Sequence, residues 1–146
     1  MNFGSYDCIW AGSVFTHLSE AYTRETLQLL LALLSPRGVL VFTTHGEEAL
    51  RRTLVPGWFG ATIHGRRDTI RADFEGRGFH FTPYTRDELG LLPFRFRRGE
   101  DFGVTWVSEA YVRGLVERLS AGRLCVTGFR PAGWDKYQDV FFCQAP

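Results

Sequence analysis

Four histidines and three cysteines set the first question, because imidazole and thiolate are the side chains that titrate, ligate metals or attack carbon near neutral pH. His17 and His45 each stand just past an apolar run, where an imidazole can take a proton from a reacting group. The alternative for His45 is a strand-end side chain hydrogen-bonded to the next loop. Asp139 suits backbone hydrogen bonds of a hairpin better than contact with substrate. The histidines and cysteines show no C-x-x-C or H-x-x-x-H spacing, so no metal site is expected. Ser13, Ser19 and Ser35 lie outside any G-x-S-x-G elbow, which removes the hydrolase reading. Gly76-Arg77-Gly78 is no dinucleotide fingerprint, since Phe81 stands where its last glycine belongs. The run Phe94-Arg95-Phe96-Arg97-Arg98 could stack on nucleic acid. Glu100-Asp101 follows it at once, so a solvated loop or edge strand is the expectation.

These residues need elements to position them. Asp7 to Phe15 is apolar without alternation, which predicts a strand covered on both faces. Ser19 is a good N-cap, and Leu27, Leu30, Leu31 and Leu34 recur at helical spacing, so a helix should run to about Leu34. Its Leu27–Leu34 portion is apolar nearly all round. Ser35-Pro36-Arg37-Gly38 should turn the chain into a second buried strand, Val39 to Thr44. Together these make a right-handed βαβ unit. Residues 47–104 read as an irregular insert with a short strand near Phe79-His80-Phe81. Ser108 should cap a helix that carries Val112, Leu115 and Val116 and closes at Gly122. Leu124 to Phe129 and Val140 to Cys143 predict a closing hairpin, connected by Arg130 to Tyr137. The 146 residues therefore form a single α/β domain in which 47–104 is an insert or substrate-side region.

Ligands of such sheets sit beyond the carboxyl ends of the parallel strands. That edge gathers His17, His45, Trp134, Tyr137 and Asp139 around one mouth. Net charge is +1, so no broad field favours nucleic acid or an acidic membrane. The longest apolar run, Leu29 to Leu34, falls well short of the roughly 20 residues that span a bilayer. The amino terminus has neither a basic nor an apolar leader region. Cys8, Cys125 and Cys143 are odd in number and set in apolar runs, which predicts buried free thiols. A cytoplasmic location is expected, with neither nucleic acid nor membrane as partner.

Three segments carry a resemblance. They are Tyr6-Asp7-Cys8-Ile9-Trp10-Ala11-Gly12-Ser13-Val14-Phe15-Thr16-His17-Leu18, Leu34-Ser35-Pro36-Arg37-Gly38-Val39-Leu40-Val41-Phe42-Thr43-Thr44-His45-Gly46, and Tyr137-Gln138-Asp139-Val140-Phe141-Phe142. In this order they resemble the fourth strand, the L-x-P-G-G turn with the fifth strand, and the final strand of class I S-adenosylmethionine-dependent methyltransferases. Arg37 departs from that turn, standing where a glycine is usual.

The resemblance implies a partial Rossmann-like methyltransferase sheet: the last four strands, mixed, with a carboxy-terminal β-hairpin. It implies S-adenosylmethionine as cofactor, with Gly12, Ser13, Val14 and Phe15 flanking its methionine and sulfonium end. His45 first and His17 second are the proton acceptors it suggests, with Trp134, Tyr137 and Asp139 on the substrate side. The family's glycine-rich loop and ribose-binding acid have no counterpart here. Methyl transfer to a small-molecule acceptor is therefore expected only when a complementary amino-terminal half is supplied, the isolated chain being inactive. Trp58, Phe59, Phe79, Phe81 and Tyr84 of the insert could line the acceptor pocket. The alternative is a non-catalytic remnant or interaction module that dimerises through the exposed edge of its first strand.

Overall fold

A computed structural model describes residues 4–53, 55, 63, 65–90 and 99–146. Trp58, Phe59 and the Phe94–Arg98 run lie outside the described residues. In chain order the elements are β1 (Tyr6–Ala11), α1 (Glu20–Leu33), β2 (Leu34–His45), α2 (Glu47–Thr53), α3 (Arg67–Arg77), β3 (Phe79–Pro83), α4 (Arg86–Gly90), a 3₁₀ turn (Gly99–Asp101), β4 (Gly103–Val107), α5 (Glu109–Ser120), β5 (Cys125–Trp134) and β6 (Gln138–Gln144). The fold is mixed α/β. Its main sheet has four strands in the order β1-β2-β6-β5, with β1 parallel to β2 and β6 antiparallel to both β2 and β5.

Local chemistry explains most of these boundaries. The Ser19 hydroxyl accepts from the Tyr22 amide at 3.4 Å, with Glu20 in the first turn, and so starts α1. Ser108 does the same for α5 through Tyr111. That helix ends in two left-handed residues, Ala121 at φ 52° and Gly122 at φ 75°. The end of α1 differs from expectation. No glycine caps it; Leu34 is already extended, and Gly4 and Ser5 donate to the Ala32 and Leu33 carbonyls at 3.0 Å. Ser35 to Gly38 is an irregularity inside β2 rather than a turn before it, since Tyr6 pairs with Leu34 while Cys8 pairs with Val39. Glycine is needed at 38 because a Cβ there would lie 2.6 Å from the Tyr6 carbonyl oxygen.

The closing hairpin is tighter than expected. Its strands reach Trp134 and Gln138, and the turn is made by Asp135 and Lys136 at φ 52° and 61°. The Tyr137 amide closes it on the Trp134 carbonyl at 3.2 Å, as mirror-image hairpin turns require. The segment expected to be irregular carries α2, α3 and α4, and β3 and β4 form a separate antiparallel pair. That pair docks on the main body through Thr105 N–H to the Thr16 carbonyl at 2.9 Å and Gly103 N–H to the His17 carbonyl at 3.0 Å.

Leu27 and Leu31 of α1 and Val112, Leu115 and Val116 of α5 pack against Ala11, Leu40, Phe42 and Phe141 on one face of the main sheet. A second cluster joins Ala49, Leu50, Ile63, Ile70, Phe74, Val104 and Trp106. Helix α1 is one-sided after all, with Leu29 40% exposed. Strand β1 also departs from expectation. Tyr6, Asp7, Cys8 and Trp10 are exposed and only Ala11 is buried, because β1 is an edge strand paired with β2 alone among the described residues. Cys8 is accordingly an exposed thiol rather than a buried one; Cys143 is buried and Cys125 half-buried, all three unbridged. Among the described residues no helix is long and apolar enough to cross a membrane.

Candidate functional site

The carboxyl ends of β1 and β2 meet the beginning of β6 at one edge of the main sheet. Beyond Ala11 the chain passes through Gly12 to Ser13, which is left-handed at φ 56°. Glycine at 12 lets the Trp10 indole lie close: a Cβ there would stand 2.8 Å from its ring atoms. The Ser13 amide donates to Thr43 Oγ1 at 2.8 Å, and Thr43 Oγ1 donates to Gln138 Oε1 at 2.6 Å. Gln138 Nε2 returns to Ser13 Oγ at 3.0 Å. Three strand ends are thus tied by one hydrogen-bonded ring, which offsets the cost of a left-handed serine. Val14 is 38% exposed beside this turn. Phe15, expected to flank a cofactor, enters the core instead: it is 2% exposed with its ring 4.9 Å from that of Phe42.

The two histidines approach each other, ring centroids 6.3 Å apart and nearly perpendicular. His45 is 4% exposed, with Nδ1 3.1 Å from the Thr105 carbonyl and its ring stacked on Tyr137 at 5.6 Å. A carbonyl only accepts, so Nδ1 carries the hydrogen. Burial first, and the nearby His17 second, lower the His45 pKa to about 3, against the weaker pull of the Thr105 carbonyl. His45 therefore remains neutral throughout the physiological range and is a weak proton acceptor. His17 Nδ1 lies 2.9 Å from the Gly103 carbonyl and 2.8 Å from the Tyr84 hydroxyl. The same logic places the hydrogen on Nδ1 and the lone pair on Nε2. Burial, then the charge of Glu88, raises the pKa of Tyr84 itself.

Asp139 is buried, and its Oδ1 accepts from the Ala132 amide at 2.8 Å, so it fixes the hairpin. Burial lifts its pKa to about 6; the Ala132 bond opposes this, while Glu47 and Glu109 add to it. A Cβ at Gly46 would fall inside the Asp139 carboxylate, so glycine is what lets β2 end against it. The Tyr137 ring contacts both the His45 ring and the Arg52 guanidinium, the latter 5.6 Å from its centroid. Trp134 is 45% exposed and leans on Trp10 at 5.1 Å.

The mouth thus collects Ser13, His17, His45 and Tyr137, while Phe15 and Asp139 serve the core and the hairpin. Thr43 and Gln138 were not singled out as site residues from the sequence, whereas Tyr84 was expected only as a lining residue of the acceptor pocket. The polar pair Thr43-Thr44 ending an apolar strand, and Gln138 between Tyr137 and Asp139, were the signals available for the first two.

No protein-family model and no curated protein sequence matches the chain. Solved structures similar to it include the PH0226 protein of Pyrococcus horikoshii OT3, with a TM-score of 0.49 and 12% identity over 100% of this chain and 54% of that one. PKMT2 of Rickettsia typhi, in complex with AdoHcy, has a TM-score of 0.47 and 16% identity over 99% of this chain and 36% of that one. A further structure of PKMT2 gives 0.44 and 14% over 97% and 36%. The chain spans about half the length of the first of these proteins and about a third of the second.

Proposed function

We propose that the chain carries one side of a site for S-adenosylmethionine-dependent methyl transfer to a small-molecule acceptor, completed by a second segment that grips the rest of the cofactor. The observation that carries this is the left-handed Ser13 turn at the carboxyl edge of a parallel strand pair, braced by Thr43 and Gln138, with His17 beside it. Ser13 and Val14 fit one flank of such a cofactor with a hydroxyl and an exposed apolar group, while Gly12 admits the Trp10 indole beside them. At this edge Asp139 Oδ1 is committed to the Ala132 amide and so serves the hairpin. The cofactor, when bound, supplies an electrophilic methyl group on a sulfonium sulfur.

The part played by the chain's own residues follows from their protonation. His17, with Nδ1–H held by the Gly103 carbonyl, presents Nε2 to take the proton that an acceptor hydroxyl or amine releases. His45 keeps a neutral ring against Tyr137 and thereby fixes the wall of the mouth. This ranks His17 ahead of His45 as the proton acceptor, the reverse of the order expected from sequence.

The test is an amide-shift titration of the isolated chain with millimolar S-adenosylmethionine. Weak binding that moves Gly12, Ser13 and Val14 is the expected result. No shifts, or shifts confined to other elements, overturn the proposal and leave a non-enzymatic interaction module, which the open edge of β1 also accommodates.

A further inference from the structure

Among the described residues no strand pairs with the outer edge of β1, and its one irregularity, between Tyr6 and Cys8, lies in the pairing with β2. Tyr6 is 46% and Trp10 49% exposed, and the strand contains neither lysine nor proline. Its one charge, Asp7, accepts a hydrogen bond from Ser35 Oγ at 2.6 Å and is turned towards its own neighbour strand. Tyr6, Cys8 and Trp10 share one face of the strand, by the two-residue repeat of the pleat. That face reads aromatic, thiol, aromatic, a pattern symmetric about Cys8. A two-fold interface needs this kind of pattern, since each surface must complement itself.

We infer that the free edge of β1 pairs antiparallel with β1 of a second copy of this chain, with Cys8 on the two-fold axis. In that register Tyr6 faces Trp10 of the other copy on one side of the sheet, and Asp7 faces Ile9 on the other. Cross-strand aromatic pairs are favourable, and no charge directly opposes its like. Slipping the pairing by one residue is forbidden, because it would set exposed side chains against core-facing ones. The slip by two that centres on Ile9 leaves Tyr6 unpaired. The product is a continuous sheet of eight strands, four from each copy.

One six-residue edge covers less than the about 800 Å² per partner of a standard interface, so the dimer is weak and concentration-dependent. This inference does not rest on the methyl-transfer reading. A complementing segment on the same edge and a second copy would exclude each other, so the homodimer is the form of the chain by itself.

The experiment is sedimentation velocity from micromolar to near-millimolar chain, followed by oxidation with diamide. The expected result is a monomer–dimer equilibrium. Diamide should then yield a covalent dimer as two Cys8 thiols lose two protons and two electrons to the reagent. Cys8→Ser should sediment like the wild type yet fail to cross-link. Cys8→Arg, which sets like charges opposite each other at an exposed position, should sediment as a monomer with an unchanged circular dichroism spectrum. A monomer at every concentration overturns the inference. A dimer that survives Cys8→Arg, or one that diamide fails to link through Cys8, overturns it equally. The cofactor titration reports on the other proposal independently of all these outcomes.

Discussion

Asp139 and His45 face each other's consequences across the end of β2, with pKa values displaced in opposite senses. Asp139 rises from 3.8 to about 6 in the folded chain. A carboxyl raised by folding binds its proton more tightly when folded, so this group penalises the native state above pH 6. The penalty disappears as pH falls towards 3.8, and its full size is at most about 3 kcal/mol at 1.36 kcal/mol per unit. His45 falls from 6.5 to about 3, so it supports the native state above pH 6.5 and withdraws that support as pH falls towards 3. Between pH 6 and 4 the two slopes cancel. Asp139→Asn retains an oxygen for the Ala132 amide and removes one of the two slopes. Urea titrations should show it more stable than wild type at pH 7.5 by about 2 kcal/mol, then losing roughly 1.4 kcal/mol per pH unit between 6 and 4. A variant whose stability tracks wild type across that range would show that the carboxyl is not held protonated by burial.

Among the elements, the ends of β1, β2 and β6 are joined by side chains rather than by the ladder alone. Thr43 is the middle member, accepting from Ser13 and donating to Gln138. Thr43→Val conserves shape but leaves the Ser13 amide and Gln138 Oε1 without their partner, a cost of about 2 kcal/mol in urea unfolding. Thr43→Ser should recover most of it, and equal losses for both variants would assign the effect to packing instead. This ring was hard to foresee because it is a meeting of three distant segments, whereas the caps at Ser19 and Ser108 are local and were legible. The same distinction explains the end of α1. Proline and glycine at 36 and 38 signalled a turn, but close approach of the Tyr6 carbonyl is what requires the glycine. The apolar run of β1 was legible as a strand while its exposure was not, since exposure depends on which neighbours the sheet supplies. For the mouth, strand order alone brought His17, His45 and Tyr137 to one edge. The ranking of the histidines needed burial, which no spacing reveals.

At the scale of the whole molecule, two apolar clusters could have meant two separately melting parts. Strand β4 argues against that. Its alternate residues divide between the clusters, Val107 going to the one under α1 and α5 and Val104 and Trp106 to the other. Phe79 of β3 belongs to the first cluster, and the Thr105 hydroxyl reaches the Leu18 carbonyl at 2.6 Å. Opening the insert together with β4 would expose Phe79 and Val107 and strip Thr16, Leu18 and His45 of their partners in β4. Burying one large apolar side chain is worth about 1.5–3 kcal/mol, so that opening costs much of what global unfolding costs. Native-state hydrogen exchange should accordingly give the Thr105 amide, which bonds Thr16, and the Phe42 amide of central β2 the same opening free energy within about 1 kcal/mol. A Thr105 amide that exchanges more easily by over about 2 kcal/mol would mean that the insert opens while the sheet stays shut. In that event the mouth, which takes the Gly103 carbonyl and Tyr84 from the insert, would open with it.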